Sequence, residues 1–263
     1  MIRDLHTASL TMTNAQTRLE VTANNIANAN TPAYKKASVF ERNLVDAKAS
    51  LFNIPMQIER DDSPVGSYLD WSAGEYSMTG NPLDVAIEGA GFFVCKNVDG
   101  EKVLTRSGSF ALNSEGFLVT QDGKFVAGID EDAIHIPDYA VINDGDNPSN
   151  QRAVNITIAK TGEVIANDVQ IGKILVVDCS DYSQITRISK QDFVPNYLVE
   201  IHQINDIAMN LKQGWLENSN VNIIEEMVAM IELQRLYETG SKVIHTADNT
   251  LERSINTSKF GFY

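Results

Sequence analysis

At the N-terminal end of the chain Leu5, Met12, Leu19 and Ile26 recur every seven residues, and at the C-terminal end Ile223, Met230, Tyr237, Ile244 and Leu251 keep the same interval. A seven-residue apolar repeat marks a helical seam. Ala8, Ala15, Thr22 and Ala29 follow the first set three places on, and Leu233, Gly240 and Ala247 accompany the second. Asn222, three places before Glu225, reads as an N-cap with a reciprocal carboxylate and starts the second helix near Ile223. Continued to about Asn256, that helix would be roughly 50 Å long. Between the ends, Asp99-Gly100, Glu115-Gly116, Asp122-Gly123 and Thr161-Gly162 separate short β-branched or aromatic runs, the pattern of an antiparallel meander. Matching repeats on either side of a β-patterned middle predict that the two ends meet. The expected class is α+β, with long N- and C-terminal helices pairing as a coiled coil and a central, mainly antiparallel β domain. The expected boundaries are 1–33 and 216–263 for the two helices of a discontinuous helical domain, 34–75 for an extended connector broken by Pro55 and Pro64, and 76–215 for the β domain.

The first helix carries an unusual surface. Residues 1–30 hold only Arg3, Asp4, Arg18 and Glu20 as formal charges, while Thr7, Thr11, Thr13, Asn14, Gln16, Asn24, Asn25 and Asn28 fill much of the rest. Solvated helix faces are usually laced with charge. A neutral polar face suits contact with neighbouring helices, where amides and hydroxyls pair without stripping water from a full charge. The segment "VTANNIANANTPAYK" sharpens the question, because asparagine is a poor helix-interior residue and proline pushes its predecessor out of the α region. On a helical wheel Asn24 and Asn28 fall opposite Ile26, away from the apolar seam, and are expected to face a second partner.

Composition and motifs weigh against several chemistries. The 263 residues carry a net charge of −14 and no Lys/Arg cluster, which speaks against nucleic acid as a partner. No apolar run approaches the ~18 residues of a membrane span, and "MIRDLHTASLTMTNAQ" lacks the apolar core of a cleavable signal. Cys95 and Cys179 lie in apolar runs and read as small buried hydrophobes. His6, His135, His202 and His245 are scattered without metal-ligand spacing. "EGAGFF" lacks the third glycine of a dinucleotide fingerprint. "NDGDNPSN", within the polar loop 142–150, lacks the glycine and closing glutamate of a calcium loop. No catalytic, cofactor or metal residue is assigned, and no enzyme activity is expected.

Three segments carry a resemblance. "ANNIANANTPAYK" is similar to the N-terminal signature of the bacterial flagellar basal-body rod and hook family, the rod proteins of FlgF and FlgG type. "GNPLDVAIEGAGFFVCKNVDGEKVLTRSGSFALNSEGFLVTQDGKFVAG" resembles its central block, and "LENSNVNIIEEMVAMIELQRLYETGSKVIHTAD" its C-terminal signature. The segments stand in family order. Residues 34–75 and 130–210 match weakly. Ala33 stands where the family usually has glycine, so a left-handed turn there would be strained. The resemblance implies a tube in which terminal helices form the inner layer and the β domain lies outside, with the apolar seam serving assembly and Asn24, Asn25, Asn28 and Asn30 meeting neighbouring subunits. It also implies partners among copies of the chain and other rod and hook axial proteins, and export through the flagellar apparatus without a cleaved signal to a rod crossing the periplasm. An exported β-domain enzyme or adhesin using its helical ends to oligomerise is the alternative.

Overall fold

The computed structural model describes residues 2–41, 65–97, 99–130, 132–136, 155–167, 169–196, 199–205 and 209–259. Pro55, Pro64 and the polar loop 142–150 lie outside the described residues. Helix α1 spans Ile2–Ala27 and helix α2 spans Ile223–Lys259. Between them run β1 (Ala37–Glu41), β2 (Val65–Leu69), β3 (Tyr76–Met78), β4 (Val85–Ile87), β5 (Phe92–Lys96), β6 (Lys102–Thr105), β7 (Phe110–Leu112), β8 (Leu118–Thr120) and β9 (Phe125–Val126). Then follow β10 (Ile156–Ile158), β11 (Glu163–Ala166), β12 (Val169–Lys173), β13 (Val176–Cys179), β14 (Ile185–Arg187), β15 (Asp192–Pro195), β16 (Ile201–Gln203), β17 (Leu211–Gln213) and β18 (Trp215–Glu217). The class is α+β. No described helix is long and apolar enough to cross a membrane.

The chain forms two compact units. Unit 1 gathers Met1–Ala27, Lys36–Asp70 and Val221–Tyr263, and unit 2 gathers Asn28–Lys35 and Trp71–Asn220. In unit 1, β1 and β2 pair antiparallel, with Ala37 opposite Leu69. Helix α2 starts where its cap dictates: Asn222 Oδ1 accepts from the Ile224 amide at 3.1 Å and Asn222 Nδ2 donates to Glu225 Oε1 at 3.0 Å. Glu225 and Glu226 occupy the first turn, where the helix dipole favours negative charge.

The expected coiled coil is corrected by side-chain burial. A knobs-into-holes seam buries its large residues, yet Met12, Leu19, Ile26, Ile223, Met230, Ile244 and Leu251 are only partly buried and Tyr237 is 39% exposed. The side chain of Leu5 lies outside the described residues. Among the described side chains of α1 the buried positions are instead Ala15, Thr22 and Asn25, small or polar. Gly240 faces Met12 so closely that an added Cβ would stand 2.7 Å from Met12 Cγ. The seven-residue period marks a helix without saying which of its faces is enclosed. Here Asn25 bonds to the start of β1, and a seam made by α1 and α2 alone does not account for the packing.

Unit 2 holds an apolar core that includes Val85, Phe93, Cys95, Leu118, Val126, Val164, Ile174, Val176 and Leu211. Its largest sheet runs β14-β15-β6-β5-β9-β8-β7, with β13 pairing β5 and β16. Gly100 (φ +83°) and Gly123 (φ +81°) make the tight turns that the Asp-Gly dipeptides predict. Cys95 and Cys179 are buried free thiols. Burial pushes their pKa up to about 12 and about 11, with Asp192 and Asp178 adding in the same direction. Neither thiol forms the reactive thiolate near neutral pH. A thiol-specific reagent at pH 8 should therefore leave both cysteines unmodified in the native chain and titrate both in denaturant. Rapid labelling of either in native protein would contradict the burial.

Candidate functional site: two buried polar clusters

The first cluster lies in unit 1. Asn25 Nδ2 donates to Ala37 O at 2.9 Å and to Glu226 Oε2 at 3.1 Å, while Asn25 Oδ1 accepts from Ala37 N at 3.0 Å. The carboxamide thus pairs both backbone groups of Ala37, as a neighbouring strand would. Only a side chain with donor and acceptor in one plane does this. Lys36 Nζ closes the cluster on Glu226 Oε1 at 2.6 Å. Beside it runs an open groove of about 430 Å³, lined by Arg18, Val21, Val39, Leu233 and Leu236 among others.

The second cluster lies in unit 2 and centres on Glu217. Glu217 Oε1 accepts from Lys35 Nζ at 2.7 Å and from the Gly74 amide at 3.1 Å, and Oε2 accepts from Arg106 Nε at 3.1 Å. The side chains of Lys35, Glu217 and Arg106 are 1%, 1% and 6% exposed. Two cations face one anion, and carbonyls take further N–H groups: Lys35 Nζ donates to Ser72 O at 2.7 Å, Arg106 Nη1 to Gly91 O at 2.6 Å and Nη2 to Gly89 O at 2.8 Å. The backbone joins in, with Ala33 N donating to Glu217 O at 2.8 Å. Arg187 donates to Lys35 O and stacks its guanidinium 4.4 Å from the Tyr34 ring centroid. Trp71 packs against Phe92, Tyr182 and Phe193 at centroid distances of 5.4, 5.5 and 4.9 Å. Among the described residues no group of His, Cys, Asp and Glu is arranged to hold a metal ion.

The asparagines separate. Asn25 and Asn28 are buried, whereas Asn24 and Asn30 are exposed. Asn28 ends the helical segment: its carbonyl accepts from Thr31 N at 3.0 Å and its Oδ1 from Thr31 Oγ1 at 3.3 Å. Lys35, Lys36, Arg106, Glu217 and Glu226 were not singled out by the sequence reading. A signal for three of them was present. Lys35 is the lone charge of "ANNIANANTPAYK", Arg106 the lone charge of "LTRSGSF", and Glu217 the lone charge of "LENSNV". Each segment that carries the resemblance supplies one member of the second cluster.

Three family models cover these same regions: flagella basal body rod protein at residues 5–35, the flagellar hook protein FlgE/F/G D1 domain at 86–166, and the flagellar basal body rod FlgEFG protein C-terminal region at 212–257. The flagellar basal-body rod protein FlgG of Agrobacterium fabrum is 32% identical over 94% of this chain and 96% of its own length. This chain belongs to the flagellar basal-body rod protein family. FlgG of Bacillus subtilis is 30% identical over 98% of this chain and 100% of its own length, and FlgF of Caulobacter vibrioides 31% identical over 90% and 88%.

Ala33 adopts φ +58°, the left-handed region that glycine enters without strain and an L-residue does not. The strain of an L-residue there is about 1–2 kcal/mol. Ala33→Gly relieves it, but frees the unfolded chain by about 0.4–1 kcal/mol and removes a buried methyl worth about 0.8 kcal/mol. The stability change in urea unfolding should therefore stay within about 1 kcal/mol. A loss above about 2 kcal/mol would show that packing of the methyl outweighs the strain.

Proposed function

We propose that this chain is a structural subunit of the flagellar rod, assembling with copies of itself and with other axial proteins into a helical tube that passes torque from motor to hook. The kinship with rod proteins along nearly the whole chain supports this reading, and the surface of α2 carries it. Ile224, Met227, Val228 and Ile231, spaced i, i+3, i+4, i+7, form a stripe that is 74%, 50%, 51% and 50% exposed. Contiguous apolar surface of this kind marks an interaction site. At about 100° per residue the stripe lies on the side of α2 opposite Glu226, Leu233 and Leu236, which line the groove. Two unlike contact surfaces on opposite faces of one helix favour head-to-tail contacts, which build open helical assemblies instead of closed dimers. Exposed Asn24 and Asn30 would add polar contacts to the same assembly.

Location in the basal body, a path across the periplasm and export without a cleaved signal follow from the same reading, and it requires no cofactor or catalysis. The test is negative-stain microscopy of concentrated full-length protein. Rods or tubes are expected from wild type. Ile224→Glu/Ile231→Glu should leave dispersed particles with an unchanged circular dichroism spectrum, because the stripe supports no core of unit 1. Discrete wild-type particles under all conditions, or tubes from the double variant, would overturn this account of assembly.

A further inference from the structure

The chain passes between its two units at 27/28, 35/36, 70/71 and 220/221. The Glu217 cluster lies at the last three of these in unit 2. Lys35 is the final residue before one passage, Trp71 and Ser72 follow the next, and Asn220 precedes the third. Asn220 Nδ2 donates to Ser72 O at 3.2 Å and to Ser72 Oγ at 3.1 Å, so Ser72 O receives donors from both other segments. Asn218 N donates to Glu75 O at 2.8 Å.

We infer that Glu217 is a tie that gathers these three passages into one mechanical junction, so that load arriving along any of them is shared by all three. The inference rests on the rod reading for the origin of that load. Its physical basis is the kind of bond used. A buried ion pair is seldom the most stable filling for its space, since apolar side chains of similar volume do as well or better. Apolar packing also tolerates sliding and repacking. Directional bonds from Lys35, Gly74 and Arg106 to the two oxygens of one carboxylate do not, because displacement of any one segment leaves a buried charge or amide without its partner. The aromatic wall of Trp71, Phe92, Tyr182 and Phe193 stiffens the middle segment where it enters unit 2. Arg187, bonded to Lys35 O and stacked on Tyr34, holds the first.

The test compares Lys35→Met and Lys35→Arg with wild type in the full chain. Amide hydrogen exchange on purified protein reads the tie without any assembly. In Lys35→Met, exchange at Ala33 and Gly74 should rise by about tenfold or more, while amides of β5 and β13 stay within about threefold of wild type. Lys35→Arg, which keeps the cation, should restore protection. In cells lacking their own copy, Lys35→Met should support swimming in dilute medium and fail in viscous medium, with Lys35→Arg rescuing. A uniform rise across unit 2, no rise at Ala33 and Gly74, or normal swimming under viscous load would overturn the inference. Should Lys35→Met not fold, Asn220→Ala at the partly buried edge of the junction is read by the same criteria. Failure of the wild-type chain to support swimming at all would fault the rod reading instead, leaving the exchange data to decide the tie.

Discussion

Gly108→Ala should abolish the folded state of unit 2. A Cβ at Gly108 would stand 1.6 Å from Val85 O and 2.7 Å from Val85 C, and the obstruction is backbone that cannot rotate away. Retreat is blocked by bonding and packing. Val85 N donates to Gly108 O at 2.9 Å, and Val85 is a fully buried core residue at 0% exposure. Separating the two segments breaks that bond and opens the core along β4, so the expected loss exceeds about 4 kcal/mol, at the extreme of single substitutions. Urea unfolding followed by near-UV circular dichroism measures it. A variant that unfolds cooperatively within about 1 kcal/mol of wild type would show that β4 can move without damage.

Asn25→Asp should be the most damaging single change in unit 1, worse than Asn25→Ala. Alanine leaves Ala37 N, Ala37 O and Glu226 Oε2 short of a partner, a loss of about 3 kcal/mol if each part-buried group contributes near the low end of its usual range. Aspartate still accepts from Ala37 N, but it cannot donate to Ala37 O, and it sets a second carboxylate against Glu226. Buried carboxylates at hydrogen-bond distance do not both remain ionised without penalty. The order wild type, Asn25→Ala, Asn25→Asp in helical melting temperature at pH 7 is the expected result. The gap between Asp and Ala should close as pH falls and the new carboxyl binds a proton. An aspartate variant as stable as wild type at pH 7 would mean that Glu226 is not the partner.

The two helices were legible because their signals are local: a seven-residue period fixes the helix, and Asn222 with Glu225 fixes its start. The meander was legible for the same reason, since Asp99-Gly100 and Asp122-Gly123 need only their own turns. Side-chain partners were not legible. Asn25 and Asn24 are the same residue type one position apart, and burial of one against Ala37 depends on β1 arriving from twelve residues on. The coiled coil failed for a related reason, because the repeat carries no information about β1. Lys35, Arg106 and Glu217 are far apart in sequence, and a lone charge in a neutral segment gives no hint of its destination until the fold brings all three together.

The division of the chain also sets an order of events. Most of unit 2 is the continuous stretch Trp71–Asn220, joined only by Asn28–Lys35 from upstream, whereas unit 1 requires residues from both termini. As the chain emerges from the ribosome, the residues of α1, β1 and β2 are made a long interval before those of α2. The exposed stripe at Ile224–Ile231 is therefore among the last surfaces to be completed. A chain truncated before Val221 retains the residues of unit 2 and lacks that stripe, so under the proposed assembly a prematurely terminated product would neither join its neighbours by this face nor poison their growth.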